Sequence, residues 1–234
     1  MVVPSLDESD EIKQNIIMNF PIRLALLDMP KVTRDTVGRH FASTPLAYHN
    51  VNHIIYMLTL YDQAFSAHLS VEDDRLMRWA IWYHDVIYDP SARDNEERSA
   101  EMAVRHFDGL GDTGKLSALI MSTKKHNPVT DLERMLVDLD LAILAGLPRD
   151  YYEYSSAIRA EYSAYGDDDY CRGRAAALEG LINGPRRFDL LSGYLGYENN
   201  EMYDNAIVNM AAERAAMLAS DPSARRLYMT FRGD

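Results

Sequence analysis

The chain has 234 residues, 24 basic against 36 acidic for a formal charge of −12, and 47% of it is hydrophobic. That is enough apolar material for a sizeable core, and it argues against wholesale disorder; no run approaches the ~18 apolar residues of a membrane span, and so acidic a surface repels a nucleic-acid polymer. Cys171 is the single cysteine, which excludes a disulfide framework or a Cys-rich zinc site.

The opening MVVPSLDESDEIKQN is acidic and has neither the basic nor the apolar region of a secretory signal, so a cytoplasmic protein is expected. With no repeat, low-complexity tract or long Gly/Ser/Pro linker, one cooperative unit over 1–234 is the expectation. Alternating β-branched runs are nearly absent, while Ala, Leu, Met, Glu and Arg dominate at helical spacing.

In chain order, residues 1–10 read as frayed, and a first helix covers about 11–28 with a break near Pro21. Thr33 caps a short helix through His40. Ser43-Thr44-Pro45 then opens a long helix to His68, as a cap followed by proline at the first helical position. Ser70 or the acidic cluster Glu72-Asp73-Asp74 starts the next, running to Tyr88 and ended by Asp89-Pro90. Further helices are expected from Asp94 or Asn95 to Phe107, from Thr113 to Lys125, and from Thr130 to Ala145. Helices over 149–165, 168–182 and 200–219 complete an all-α chain of eight to ten helices, with 148–234 packed on the same unit.

Metal-ligating side chains concentrate in four segments: Tyr48-His49-Asn50-Val51-Asn52-His53, His84-Asp85, His126, and Asp138-Leu139-Asp140. His49 and His53 are four apart, the spacing of one helix face. Asp85 lies between Trp82-Tyr83-His84 and Val86-Ile87-Tyr88, and Asp140 between Leu139 and Leu141, in runs that otherwise read as core. An ionised carboxylate buried alone is very costly, so such residues pair with a cation or hold a metal. Imidazoles and carboxylates without thiolates suit a divalent Mn, Fe, Co, Ni, Zn or Mg ion. Asp138 and Asp140 point about 200° apart on a helix, so only one easily faces such an ion.

The order His53, His84-Asp85, Asp140 resembles the H…HD…D signature of the HD superfamily of metal-dependent phosphohydrolases. Tyr48-His49-Asn50, Asn95-Glu96-Glu97-Arg98-Ser99-Ala100, Thr123…His126, the run Asp138 to Gly146, Arg159-Ala160-Glu161-Tyr162 and Gly173-Arg174 resemble a bacterial subgroup of predicted phosphohydrolases, over roughly residues 25 to 215. The resemblance implies an HD-domain-like helical bundle with additional C-terminal helices. It implies a divalent metal on His53, His84, Asp85 and Asp140, with Asp140 preferred over Asp138, and a small phosphorylated substrate, a nucleotide among the candidates.

Asp85, Glu97 and His126 are the candidate catalytic groups, with Glu96 as the alternative to Glu97. Asn50, Lys124 and Arg159 are the candidate substrate contacts, with Lys125 and Arg98 as further cations. His49 is a weaker metal candidate, and His40, His68 and His106 read as surface or packing residues. Tyr151, Tyr152, Tyr154, Tyr162 and Tyr165 are expected to pack the C-terminal helices with their hydroxyls in water. A dinuclear iron oxygenase on the same ligands, and a non-catalytic nucleotide-sensing module, are the competing functions; a homo-oligomer is compatible with either.

Overall fold

The computed structural model describes residues 30–43 and 46–230; the segments expected at 1–10 and 11–28 lie outside the described residues, as do Thr44 and Pro45. Among the described residues there are eleven α-helices and no strand. None of these helices is long and apolar enough to cross a membrane. The chain divides into two compact units, with the boundary between Asp140 and Leu141.

The N-terminal unit contains α1 (Lys31–Ser43), α2 (Val51–Ala64), α3 (Val71–Tyr83), α4 (Asn95–Phe107), α5 (Thr113–Thr123) and α6 (Asp131–Asp140). Helix α3 is the hub and packs against α2, α4, α5 and α6. Its Leu76, Met77, Trp79, Ala80, Ile81, Trp82 and Tyr83 are all fully buried. Trp79 stacks on Tyr83 at 5.3 Å between ring centres and meets Phe107 of α4 edge-on at 4.8 Å. Such offset and T-shaped pairs add to the burial of the rings themselves.

Local signals explain most helix starts. Ser70 caps α3 by accepting from the Asp73 amide, and Asp112 caps α5 by accepting from the Lys115 amide. Helix α1 starts before Thr33, which lies buried inside it, so Thr33 is not the cap the sequence suggests. Helix α2 also departs from expectation. It begins at Val51, and its cap is Asn50, whose side-chain oxygen accepts from the Asn52 amide.

The largest departures are at two C-termini. Helix α3 stops at Tyr83, five residues before the expected end, because α4 captures the backbone that would continue it. The Ile87 amide donates to the Ser99 hydroxyl, which in turn donates to the Ile87 carbonyl, and Asn95 clasps both the amide and the carbonyl of Asp89. Helix α6 stops at Asp140 instead of running to Ala145. Leu141 sits at φ −86°, ψ 0°, and 142–145 continue as a 3₁₀ turn whose first bond runs from the Leu144 amide to the Leu141 carbonyl.

The C-terminal unit holds that turn, then α7 (Pro148–Glu161), α8 (Asp167–Ile182), α9 (Asp189–Leu195), α10 (Glu201–Leu218) and α11 (Arg226–Met229). The short α9 and α11 were not expected from the sequence. Helix α10 packs on α8, and α11 on α7. Glu213 of α10, fully buried, joins three elements. It accepts from the Tyr151 hydroxyl at 2.6 Å, from the Ser155 hydroxyl at 2.6 Å, and from Arg174 Nε and Nη2 at 2.9 and 3.0 Å. The Tyr151 hydroxyl therefore faces the interior and not water, because a buried carboxylate needs its donors.

Candidate metal centre

Four side chains of the N-terminal unit converge at helix ends. His53 is the third residue of α2, His84 and Asp85 follow the last residue of α3, and Asp140 is the last residue of α6. Early termination of α3 and α6 is thus what delivers the donors, since the chain turns where they sit. Both helices also present their C-terminal ends, which carry the negative end of the helix dipole and favour a cation.

The donor atoms are close enough to share one ion. His53 Nε2 is 3.2 Å from His84 Nε2 and 3.3 Å from Asp140 Oδ1. His84 Nε2 is 3.1 Å from Asp85 Oδ2 and 3.6 Å from Asp140 Oδ1. The ligand atoms of all four residues lie within 4.8 Å of one another. A cation bound at about 2.1 Å sets neighbouring donors roughly 3.0 to 3.4 Å apart, which these separations match to a few tenths of an ångström. His84 is fully buried and His53 is 4% exposed.

Ring orientation fits the same purpose. His84 Nδ1 lies 2.9 Å from the Ile81 carbonyl, so its proton belongs there and the Nε2 lone pair faces the cluster. His53 turns Nε2 to the cluster under the Tyr48 ring, 4.8 Å away, and its buried Nδ1 has no acceptor among the described residues. Two imidazole nitrogens and two carboxylates packed this tightly are a set of electron-pair donors in want of a positive charge, and the cluster could hold a metal ion.

The electrostatics of the protein alone favour positive charge on His84 and negative charge on the two carboxylates. Burial lowers His84, but the carboxylates of Asp85 and Asp140 outweigh it and raise the imidazole well above its ordinary value. Burial also lowers His53, and there it prevails over Asp140. Burial would raise Asp140, yet the imidazoles of His126, His53 and His84 hold it well below the usual carboxylate range. Asp85 is lowered in the same way by His84 and His49, against its burial.

Two further histidines flank the four. His126 Nε2 is 3.5 Å from Asp140 Oδ2, the oxygen turned away from His53 and His84, and its backbone is left-handed at φ 48°. His49 Nε2 is 3.9 Å from Asp85 Oδ2, with its ring stacked on Tyr88 at 3.7 Å. His49 precedes α2 in a turn, so it does not share a helix face with His53 as the spacing suggests. Of the two aspartates left open by the sequence, Asp140 joins the cluster; Asp138 is buried on α6.

The remaining candidates are placed elsewhere. Both oxygens of Glu97 are paired with Lys124 Nζ, at 2.5 and 2.6 Å, and the same ammonium donates to the Arg93 carbonyl and lies 3.7 Å from Glu96. Candidate acid/base and candidate phosphate contact are therefore each other's partners. Arg98 lies 3.9 Å from Asp94 along its own helix, and Lys125 is exposed. The Asn50 amide is used locally, its oxygen on the Asn52 amide and its nitrogen on the Leu46 and Ala47 carbonyls. Arg159 belongs to the C-terminal unit, where it binds the Tyr162 and Tyr165 carbonyls and Asp167.

Sequence reasoning missed Asn95 and Ser99 as the residues that shape the turn carrying Asp85. The signal was present, since both are small polar residues spaced along α4 where they share a buried face. No protein-family model matches the chain, and neither a curated protein nor a solved structure does.

Proposed function

We propose that the chain is a metal-dependent phosphohydrolase of the HD type, acting on a small phosphate ester, with nucleotides in the candidate set. The observation that carries the reading is the convergence of His53, His84, Asp85 and Asp140 from three helices, in the chain order that resembles H…HD…D. These four would hold a divalent ion of Mn, Fe, Co, Ni, Zn or Mg, which supplies an acidified water and neutralises charge on the phosphoryl group. Asp85 has a second carboxylate oxygen, Oδ1, which in this reading accepts the water's proton. His126, partly exposed at 3.5 Å from Asp140 Oδ2, is in this reading the group that would give a proton to the leaving oxygen. Glu97 and Lys124 tie α4 to the end of α5, and so help to fix the segment that bears His126.

The test is metal analysis of the purified chain, followed by stripping, reloading with Mn, Co, Ni or Mg, and assay against phosphomonoesters and nucleotides. Substituting His84→Ala or Asp140→Asn should abolish both bound metal and hydrolysis while the helical signal in circular dichroism persists. Hydrolysis that survives in metal-free His84→Ala protein would overturn the reading. One observation favours a second reading, a dinuclear iron oxygenase, because two further imidazoles flank the cluster carboxylates, His126 at 3.5 Å from Asp140 Oδ2 and His49 at 3.9 Å from Asp85 Oδ2. Two irons per chain with substrate-dependent oxygen uptake would select it.

A further inference from the structure

The C-terminal unit has a cavity of about 410 Å³, lined by its own residues alone, among them Arg159, Arg225 and Arg226. Three guanidinium groups against one lining carboxylate, Asp167, make it a positive spot on a chain whose formal charge is −12. Two of the three are set in place before any ligand arrives. Arg159 is held by the Tyr162 and Tyr165 carbonyls and lies 4.8 Å over the Tyr170 ring. Arg225 Nη2 donates to the Ala219 carbonyl at 3.2 Å.

Carbonyl partners orient a guanidinium without cancelling its charge. Carboxylates do oppose the pair, Asp167 at 2.7 Å from Arg159 Nη2 and Asp168 at 3.2 Å from Arg225 Nη1, but those acidic side chains are 69% and 81% exposed, against 13% and 19% for Arg159 and Arg225. Exposed ion pairs of this kind are weakened by water, and the lining as a whole carries three guanidinium groups against one carboxylate. Arg226 adds a third charge with no carboxylate against it among the described residues, and Arg225 Nε is a buried donor with no acceptor among them. Ser163 supplies a hydroxyl, while Ala160 and Met229 give an apolar wall. The volume falls in the range of about 300–1,000 Å³ that small-molecule sites occupy.

We propose that this cavity binds a phosphoryl dianion, free or carried on a small organic molecule, through Arg159, Arg225 and Arg226. The ligand need not be a substrate of the metal centre, and the site stands whether or not that centre hydrolyses anything. Planar guanidinium forks match phosphate oxygens in pairs, and the apolar wall adds contact for an organic group.

The test is calorimetric titration of the full chain, stripped of metal, with orthophosphate and separately with a sugar phosphate. Binding of at least one is expected. Tighter binding of the ester assigns an organic phosphate, and equal or tighter binding of orthophosphate assigns the free ion; either upholds the site. Arg226→Gln, at an exposed position, should weaken binding about tenfold, the loss of one charge-assisted contact. Ala160→Asp, which puts a carboxylate into the wall, should abolish it, and His84→Ala should leave it unchanged. The proposal is overturned if neither ligand binds the wild-type chain with a Kd below about 1 mM, if Arg226→Gln binds as wild type, or if His84→Ala loses binding.

Discussion

Removing Arg174 should unmask how much the C-terminal unit depends on one buried charge. Glu213 is fully enclosed, and Arg174 is its only cationic partner among the described residues, with a side chain itself 10% exposed. In Arg174→Met the carboxylate keeps its two hydroxyl donors, from Tyr151 and Ser155, but loses two guanidinium contacts at 2.9 and 3.0 Å. Leaving a buried charge without its partner costs about 3–5 kcal/mol. The reverse change, Glu213→Gln, strands no anion: the amide oxygen takes the place of one carboxylate oxygen and accepts from one hydroxyl, while the NH2 takes the place of the other and donates to the second hydroxyl. Its cost should be smaller, about 1.5–3 kcal/mol. The double variant Arg174→Met with Glu213→Gln should be more stable than the two losses summed, since neither charge is then stranded.

Urea unfolding followed by circular dichroism gives all four corners of that cycle. Acid supplies an independent check. Burial alone would raise Glu213, but Arg174 outweighs it and holds the carboxyl below its ordinary value. Its stabilising contribution is therefore complete above the unfolded value of about 4.3, and is lost as pH falls through the lower folded value. In Arg174→Met only burial and the hydroxyls act on the carboxyl, so the gap between variant and wild type should narrow as pH falls from 7 towards 4. A single variant that loses under about 1 kcal/mol, or a double variant equal to the sum of the singles, would refute the argument.

Two other perturbations test the N-terminal unit. Asn50→Ala removes the cap of α2 together with the ties to the Leu46 and Ala47 carbonyls, and should cost about 1–2 kcal/mol in urea unfolding; retained stability with lost activity would instead make Asn50 a substrate contact. Phe107→Ala empties a fully buried site against Trp79, and should cost about 3–5 kcal/mol by the same assay, with a change in tryptophan fluorescence.

The all-helical class was legible because helix formers recur at helical spacing, and the four donors were legible because Asp85 and Asp140 are charges set in apolar runs. Helix ends were less so. Val86-Ile87-Tyr88 and Leu141 to Ala145 continue an apolar pattern that a helix would use equally well. What stops α3 is a hydroxyl twelve residues away, at Ser99, and a competition between distant hydrogen bonds leaves no trace in local periodicity. Asn50 has a use that its place beside a chemical motif hides, since its amide serves the backbone at the start of α2. Glu213 was invisible for a third reason. It forms an ordinary Glu-Arg pair within the Ala-rich run 211–216, and its counter-ion is 39 positions away.

Because the four donors sit where helices begin and end, the rigid cylinders set the distances between them while the connecting turns form their surroundings. Insertions or exchanges in 86–94 or 124–130 could reshape what approaches the cluster without moving a donor, so that affinity for the ion and choice of reaction partner can drift apart over evolutionary time.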